Sequence, residues 1–332
     1  MKKSVIVTGG AGFIGSHLVE ALINVKNISK IIVIDNFKYG SLENIKSFLK
    51  NSKIKIIKKD INTIKKDEKN FKNIDCVFHL AAIADIVPSI VKPLDYCYTN
   101  IIGTLRVLEA MRYHKVNKII FSASSSCYGI PNKYPTNETA KIDPQYPYAF
   151  SKYLAEQSII HWAKIYKINF ISLRLFNVYG TRARTNNAYG AVMGVFLKQK
   201  LSKKPLTIVG SGLQKRDFIN VKDVCNAFIK AFKSKKINRI YNVGSSSPKS
   251  ILELANLLAS RFTFVQKRPG EPFTTYANIS KIKKELNWKP QISFTKGMQE
   301  LLNNIDYWKN APLWNKQKIR NATKEWFKYL KN

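Results

Sequence analysis

Thr8-Gly9-Gly10-Ala11-Gly12-Phe13-Ile14-Gly15 is the stretch on which the reading of this chain turns. It continues the β-branched run Ser4-Val5-Ile6-Val7, and from Phe13 to Val25 apolar residues recur at helical spacing. The glycines at 9, 12 and 15 therefore sit between a strand and a helix. Such a turn needs backbone freedom, lets a pyrophosphate approach main-chain N–H groups, and aims the positive end of a helix dipole at it. Gly9, Gly12, Phe13, Ile14 and Gly15 are accordingly candidate cofactor-binding residues. Asp35 ends the second strand, twenty residues beyond Gly15. A carboxylate there accepts hydrogen bonds from an adenosine ribose and repels a 2′-phosphate, which favours NAD over NADP; nearby Lys38 pulls the other way.

Outward from this turn, short apolar runs at 30–34, 54–57, 75–80, 118–122 and 169–175 alternate with helical patterns at 13–25, 95–114 and 148–166. The alternation predicts an α/β fold, a doubly wound parallel sheet with crossover helices on both faces. Strands without polar alternation fit burial on both sides. Beyond residue 176 the pattern loosens: a polar loop at 180–187, helical stretches at 189–201, 251–261, 282–286 and 294–308, and one buried strand at 240–243. The expected division is a cofactor domain over 1–175, joined by a return segment near 217–244, and a smaller C-terminal α/β lobe over 176–332. Two segments belong to the same sheet edge as the glycine turn. Lys59-Asp60-Ile61 follows the third strand, where an Asp can accept from an adenine amino group. His79-Leu80-Ala81-Ala82 follows the fourth, where small residues let the backbone approach a cofactor. Asn36, Asp60, Ile61, Leu80, Ala81 and Ala82 join the cofactor candidates.

Tyr148-Ala149-Phe150-Ser151-Lys152 opens a helix, and its i, i+4 spacing puts a phenol and an ammonium on one face. A phenol titrating near 10 is a poor base at neutral pH. A neighbouring cation and a positively charged nicotinamide would both favour phenolate and bring it toward the working range. Ser124 ends the fifth strand within Ser122-Ala123-Ser124-Ser125-Ser126-Cys127-Tyr128-Gly129, where its hydroxyl can bond the same substrate oxygen. Ser124, Tyr148 and Lys152 are the catalytic candidates, with Tyr148 and Lys152 also facing the cofactor.

With these motifs in place the chain resembles the extended short-chain dehydrogenase/reductases, specifically nucleotide-sugar epimerases of the UDP-glucose/UDP-N-acetylglucosamine 4-epimerase type. The resemblance rests on eight ordered blocks: TGGAGFIGSH (8–17), DN (35–36), HLAA (79–82), SSSCYG (124–129), YAFSK (148–152), LRLFNVYG (173–180), RDFINVKDV (216–224) and RPGEP (268–272). It implies a Rossmann-type sheet, NAD as a recycled cofactor, a nucleotide-sugar substrate, and a homodimer built on the 95–114 and 148–166 helices. It also implies that Asn177 contacts the nucleotide diphosphate, that Arg216 and Arg268 neutralise it, and that Lys152 meets the nicotinamide ribose. Arg suits the diphosphate because its fork pairs phosphate oxygens.

Within the family, 4,6-dehydratases carry an Asp-Glu pair where this chain has Ser125 and Ser126, and UDP-glucuronate decarboxylases usually carry a Glu in the same segment. The expected chemistry is therefore oxidation at C4 of the sugar and reduction back on the other face, with Ser124, Ser125, Ser126 and Tyr148 around the sugar. The family's wall position matching Thr275 is bulky in enzymes restricted to plain hexoses and small in those that accept N-acetylated sugars. Ala84, Gly190 and Thr275 together leave room for a 2-acetamido group. Arg182 and Arg184, in a loop that departs from the more usual Pro-Arg pattern, are instead suited to a uronate carboxylate, so UDP-glucuronate stays open as an alternative substrate. A decarboxylase, a dehydratase or a net ketoreductase on the same scaffold also stays open.

Composition excludes other classes. The 332 residues are 45% hydrophobic and 23% charged, globular values that rule out disordered and fibrous chains. No apolar run approaches the roughly 18 residues of a spanning helix, and no signal peptide follows Met1-Lys2-Lys3, so a cytosolic, membrane-free protein is expected. Four scattered cysteines without a CxxC pair argue against disulfides and zinc. The net charge of +35 raises nucleic acid as a partner. Its lysines, however, are spread over solvated positions without interleaved aromatics, which points to compositional bias or attraction of a small polyanion.

Overall fold

The computed structural model describes residues 2–183, 192–258 and 261–330. Seven strands form the central sheet: β1 (Lys3–Thr8), β2 (Ile28–Asp35), β3 (Ile54–Lys58), β4 (Cys76–His79), β5 (Lys118–Ser124), β6 (Asn169–Leu175) and β7 (Arg239–Val243). Their spatial order is β7-β6-β5-β4-β1-β2-β3, and every pairing is parallel. From β1 the chain winds outward through β2 and β3; from β4 it winds the opposite way. The reversal lies between β1 and β4, where crossovers change face and leave a crevice at the strands' carboxyl ends.

Val5, Ile6 and Val7 are wholly buried because both faces are covered. On one face, α1 (Phe13–Ile23) packs against α4 (Val221–Lys233) in an apolar cluster that includes Leu18, Leu22, Val224 and Phe228. On the other, α2 (Gly103–Tyr113) and α3 (Pro147–Tyr166) bury Val107, Met111, Ala155 and Ile159 against Ile6 and Phe121. α4 presents Val221, Val224, Cys225, Phe228 and Phe232 at helical spacing, starts on the Asn220 side-chain cap, and leads directly into β7. Residues from Ile219 to Val243 thus pack into the core of the seven-stranded sheet, while Phe218 joins the cluster around Phe196. α3 starts with Pro147 at its first position. It is tied to β6 by a buried bidentate ion pair, Arg174 Nη2 to Glu156 Oε2 at 2.6 Å, with Ser172 Oγ donating to Glu156 Oε1 at 2.5 Å. This fixes the helix that carries Tyr148 and Lys152.

The second lobe has its own core around Phe196, Leu206, Leu254, Trp308 and Trp326. Its short strand pairs, Asn177–Tyr179 with Phe218–Asn220, Lys215–Arg216 with Lys249–Ser250, and Leu206–Val209 with Phe262–Val265, carry too few residues to show a period. The expected helix at 95–114 is divided into Pro93–Cys97, a wider π turn Tyr98–Ile102, and α2. Within that turn Asn100 brackets the peptide of Ile83, accepting from its N–H at 2.9 Å and donating to its carbonyl at 3.1 Å. The expected helix at 294–308 ends at Asn303 and gives way to a 3₁₀ turn Ile305–Trp308. Two tail helices, Lys316–Ala322 and Lys324–Tyr329, pack on the second lobe. No described helix is long and apolar enough to cross a membrane.

Candidate active site

A cleft of about 550 Å³ opens at the carboxyl ends of β1, β4 and β5 and runs into the second lobe. Its first wall is the glycine turn. Gly9 has φ +69°, and a Cβ there would lie 2.7 Å from the Ala81 nitrogen; a Cβ on Gly15 would lie 2.0 Å from the Gly9 carbonyl. Only glycine lets the turn sit against β4 and under α1. α1 begins at Gly12 with no side-chain cap and no acid in its first turn, which leaves its N–H groups and dipole for an anion. Asp35 is buried, accepting from the Ala11 and Phe37 amides at 3.0 and 2.8 Å, and burial raises its pKa above the usual carboxylate range. Asn36 Nδ2 donates to Asp60 Oδ2 at 2.7 Å, so these two candidates meet beyond the strand ends. Phe13, Ile14, Leu80 and Ala82 line the cleft, whereas Ile61 is buried, its side chain packed against Gly103. Together the turn, the bare helix end and the buried Asp35 carboxylate at the end of β2 fit a dinucleotide.

The far side of this wall is a buried relay. Thr104 Oγ1 donates to the Asn100 carbonyl at 2.6 Å, so it accepts from His79 Nε2 at 2.8 Å; His79 Nδ1 then accepts from Thr8 Oγ1 at 2.7 Å. Burial, with Lys152's charge, holds the His79 pKa at about 3. The ring stacks on Phe121 at 5.6 Å between centroids. Nitrogen-15 NMR should therefore find a single neutral Nε2–H tautomer at His79 from pH 8 down to pH 5. A doubly protonated ring at pH 5 would contradict the network.

Tyr148 and Lys152 lie on the first turns of α3, and Ser124 ends β5; all three line the cleft, with Ser124 close enough to Tyr148 to favour its phenolate. Ser124 also caps the turn Ser125–Tyr128 through the Ser126 amide, which seats Ser125 and Ser126 beside it. One expectation needs correction. Burial raises the Tyr148 pKa, partly offset by Ser124, and the Lys152 charge is not among its causes. The ammonium instead sits 4.3 Å above the Phe121 ring, and burial lowers its own pKa to about 7. Desolvation of both groups outweighs their attraction when the pair faces only protein.

Deeper in the second lobe, Thr275 Oγ1 donates to Asn177 Oδ1 at 2.8 Å, which leaves the Asn177 amide nitrogen free to face a ligand oxygen. Arg216 and Arg268 converge on Glu271 at 3.6 and 2.8 Å. Two guanidinium groups against one carboxylate leave a net positive site suited to a diphosphate. Ala84 lines the cleft as expected. Gly190 and Arg184 fall outside the described residues. Arg182 does not line the cleft: it pairs with Glu20 at 2.7 Å and lies over Phe48, because the turn after Tyr179 directs it toward α1. Several wall residues were not singled out from sequence: Tyr39, Asp85, Tyr146, Gln214, Glu271, Trp308 and Trp314. Only Glu271, inside the RPGEP block, carried a signal.

A phenol–serine pair beside a dinucleotide cradle, facing a cationic diphosphate seat, is the arrangement of an oxidoreductase-type enzyme that acts on a nucleotide-linked alcohol. The chain belongs to the NAD dependent epimerase/dehydratase family, which it matches over residues 5–244. It is 34% identical to an uncharacterized UDP-glucose epimerase of Bacillus subtilis over 91% of this chain and 97% of that one. Among solved structures it is similar to the UDP-N-acetylglucosamine 4-epimerase of Methanobrevibacter ruminantium in complex with UDP-N-acetylmuramic acid (32% identity, TM-score 0.84, 92% of this chain and 100% of that one). It is also similar to the UDP-glucuronic acid 4-epimerase of Bacillus cereus in complex with UDP-glucuronic acid and NAD (33% identity, TM-score 0.85, 92% and 99%).

Proposed function

We propose that the chain is an NAD-dependent nucleotide-sugar 4-epimerase acting on UDP-hexoses or UDP-N-acetylhexosamines. The observation that carries this reading is that Ser124 and Tyr148 share one cleft wall, close enough for Ser124 to favour the phenolate, with serines at 125 and 126 where an eliminating enzyme of this fold would hold an acid and a base. Gly9, Gly12 and Gly15 with the α1 N-terminus would hold the cofactor's pyrophosphate, Asp35 its adenosine ribose, Asn36, Asp60 and Ile61 its adenine end, and Lys152 its nicotinamide ribose. NAD, when bound, would supply the hydride acceptor and donor for C4. Tyr148, through Ser124, removes the C4 hydroxyl proton and later gives it back. Asn177, Arg216 and Arg268 hold the diphosphate throughout. Ala84, Ser124, Ser125, Ser126 and Thr275 are small or hydroxylic, so the sugar is held loosely enough to present its other face. Tight binding at one end and weak binding at the other is what this chemistry requires.

Among the described residues the only cations lining the cleft are Lys152, Arg216 and Arg268. Arg182, one candidate partner for a uronate carboxylate, is instead turned away onto Glu20. In this reading residues 1–175, with 217–244, form the cofactor domain and 176–332 the substrate lobe. Exposed Leu94, Tyr98, Tyr113 and Phe150 on the helices before and within α2 and α3 support a homodimer through that face. Four unpaired cysteines suit a reducing cytosol.

The test is a product assay. Separate incubations with UDP-glucose, UDP-N-acetylglucosamine and UDP-glucuronate plus catalytic NAD, followed by proton NMR, should give the C4 epimer of the first two at unchanged mass. Loss of water or carbon dioxide, or stoichiometric consumption of reduced cofactor, would overturn the assignment.

A further inference from the structure

The tail beyond residue 304 lies outside the stretch matched to the family, yet it reaches several walls of the cleft. Tyr307 Oη donates to Asn44 Oδ1 at 2.9 Å, and Asn44 Nδ2 donates to the carbonyl of Ala11 in the glycine turn at 3.0 Å. Ala311, Pro312 and Trp314 line the cleft. Helix Lys324–Tyr329 packs on Ile86–Val91, whose Ile86 and Val87 also line it.

Trp326 makes the closest connection. It is 1% exposed, and its Nε1 donates to the carbonyl of Pro269 at 2.9 Å. On the other side its ring meets that of Tyr146 at 5.5 Å. Tyr146, two residues before Tyr148, lines the cleft, as does Ser126. The loop 268–273 matters to both arginines. Arg268 starts it and pairs with Glu271 inside it, and Arg216 Nη1 donates to the carbonyls of Pro272 and Phe273 at 3.0 and 3.3 Å. Where that loop sits decides where both guanidinium forks point. The bond from Trp326 fastens it to the same indole that braces Tyr146. Leu330 closes over Gly270, 3.6 Å from where a Cβ would stand.

We infer that Trp326 is a positioning residue for substrate binding: through Pro269 it sets the two arginines that seat the diphosphate, and through Tyr146 it holds the opposing wall. This rests on the proposed nucleotide-sugar reading, and it assigns a role in the site to the C-terminal segment. A residue that merely filled the core would alter stability alone. One that aims the diphosphate seat alters ground-state affinity more than the chemical step.

Trp326→Phe keeps an aromatic ring against Tyr146 and removes the N–H to Pro269 together with part of the buried indole. Calorimetry with UDP alone, together with kcat and KM on UDP-glucose, should show Kd and KM raised about tenfold and kcat within about twofold of wild type, about one hydrogen bond's worth. Trp326→Leu, which also loses the Tyr146 contact, should lower kcat as well; if it does not fold, the Phe variant decides. A folded Trp326→Phe protein with wild-type UDP affinity and KM, even with a lowered Tm, would overturn the inference and leave the functional reading standing. If the wild-type protein bound no UDP, the functional reading itself would fall, and this inference with it.

Discussion

Tyr148→Phe is expected to lower turnover of UDP-sugars by about 10³-fold, the upper range for removal of a positioned proton-transfer group, while NAD content, UDP affinity and fold stay as in wild type. Only the phenol oxygen, which lies near Ser124 on the cleft wall, is lost. The ring's edge contact with Tyr96, at 6.4 Å between centroids, survives, so the N-terminal turns of α3 keep their packing. The direction of the pH dependence follows from burial. Desolvation raises the Tyr148 pKa, so with protein neighbours alone the phenol is neutral at pH 7, and removal of the C4 proton should quicken as pH rises toward that pKa. Lys152, brought to about 7 by burial, loses its charge over the same interval. A bound nicotinamide cation would favour the phenolate and the ribose hydroxyls would engage the ammonium, so the profile of the loaded enzyme should shift to lower pH than that set by the phenol in the protein alone. Single-turnover oxidation followed by cofactor absorbance checks both points. Retention of more than a tenth of wild-type activity in Tyr148→Phe would remove the phenol from the mechanism.

How much of this was legible in the sequence depended on how local the determinants are. The strand–turn–helix around Gly9 and the Tyr148–Lys152 spacing are each written within about a dozen residues. There, hydrophobic period and glycine placement leave few alternatives. The parallel sheet was legible for the same reason, since most of its strands are buried apolar runs. What failed to show depends on distant partners. The π turn at Tyr98–Ile102 is paired with Asn100 reaching back to Ile83, a contact no window around residue 100 contains. Arg182 read as a loop cation available to substrate; its pairing with Glu20 depends on how the second lobe meets α1. The two-stranded pairs of the second lobe are too short to carry a period. Tyr146 and Trp326 face one another from positions far apart in the chain, and neither belongs to a motif. The protonation of Tyr148 was misjudged because spacing reveals a charged neighbour but not the desolvation that opposes it.

Arg216→Gln should weaken UDP binding by about 100-fold while leaving uridine binding unchanged. Three donations from Nη1, to the carbonyls of Lys215, Pro272 and Phe273 at 2.9, 3.0 and 3.3 Å, fix the guanidinium plane, so its remaining donors have little freedom. Burial disfavours its charge and Glu271 restores it. A fixed, charged fork that meets a phosphate contributes about 1.5–3 kcal/mol, or roughly 10- to 150-fold in affinity. Removing it costs more than that bond. Glu271, 3.6 Å away, then has Arg268 as its remaining arginine partner, and the local balance falls from one net positive charge to none. The carboxylate would be turned toward an incoming dianion. Glu271→Gln in the Arg216→Gln background should therefore recover part of the affinity, a coupling that two independent contacts would not show. Calorimetry with UDP and with uridine at fixed ionic strength separates the phosphate contribution from that of the nucleoside. Equal losses for both ligands would mean that Arg216 shapes the nucleoside end of the cleft and that the diphosphate is seated elsewhere.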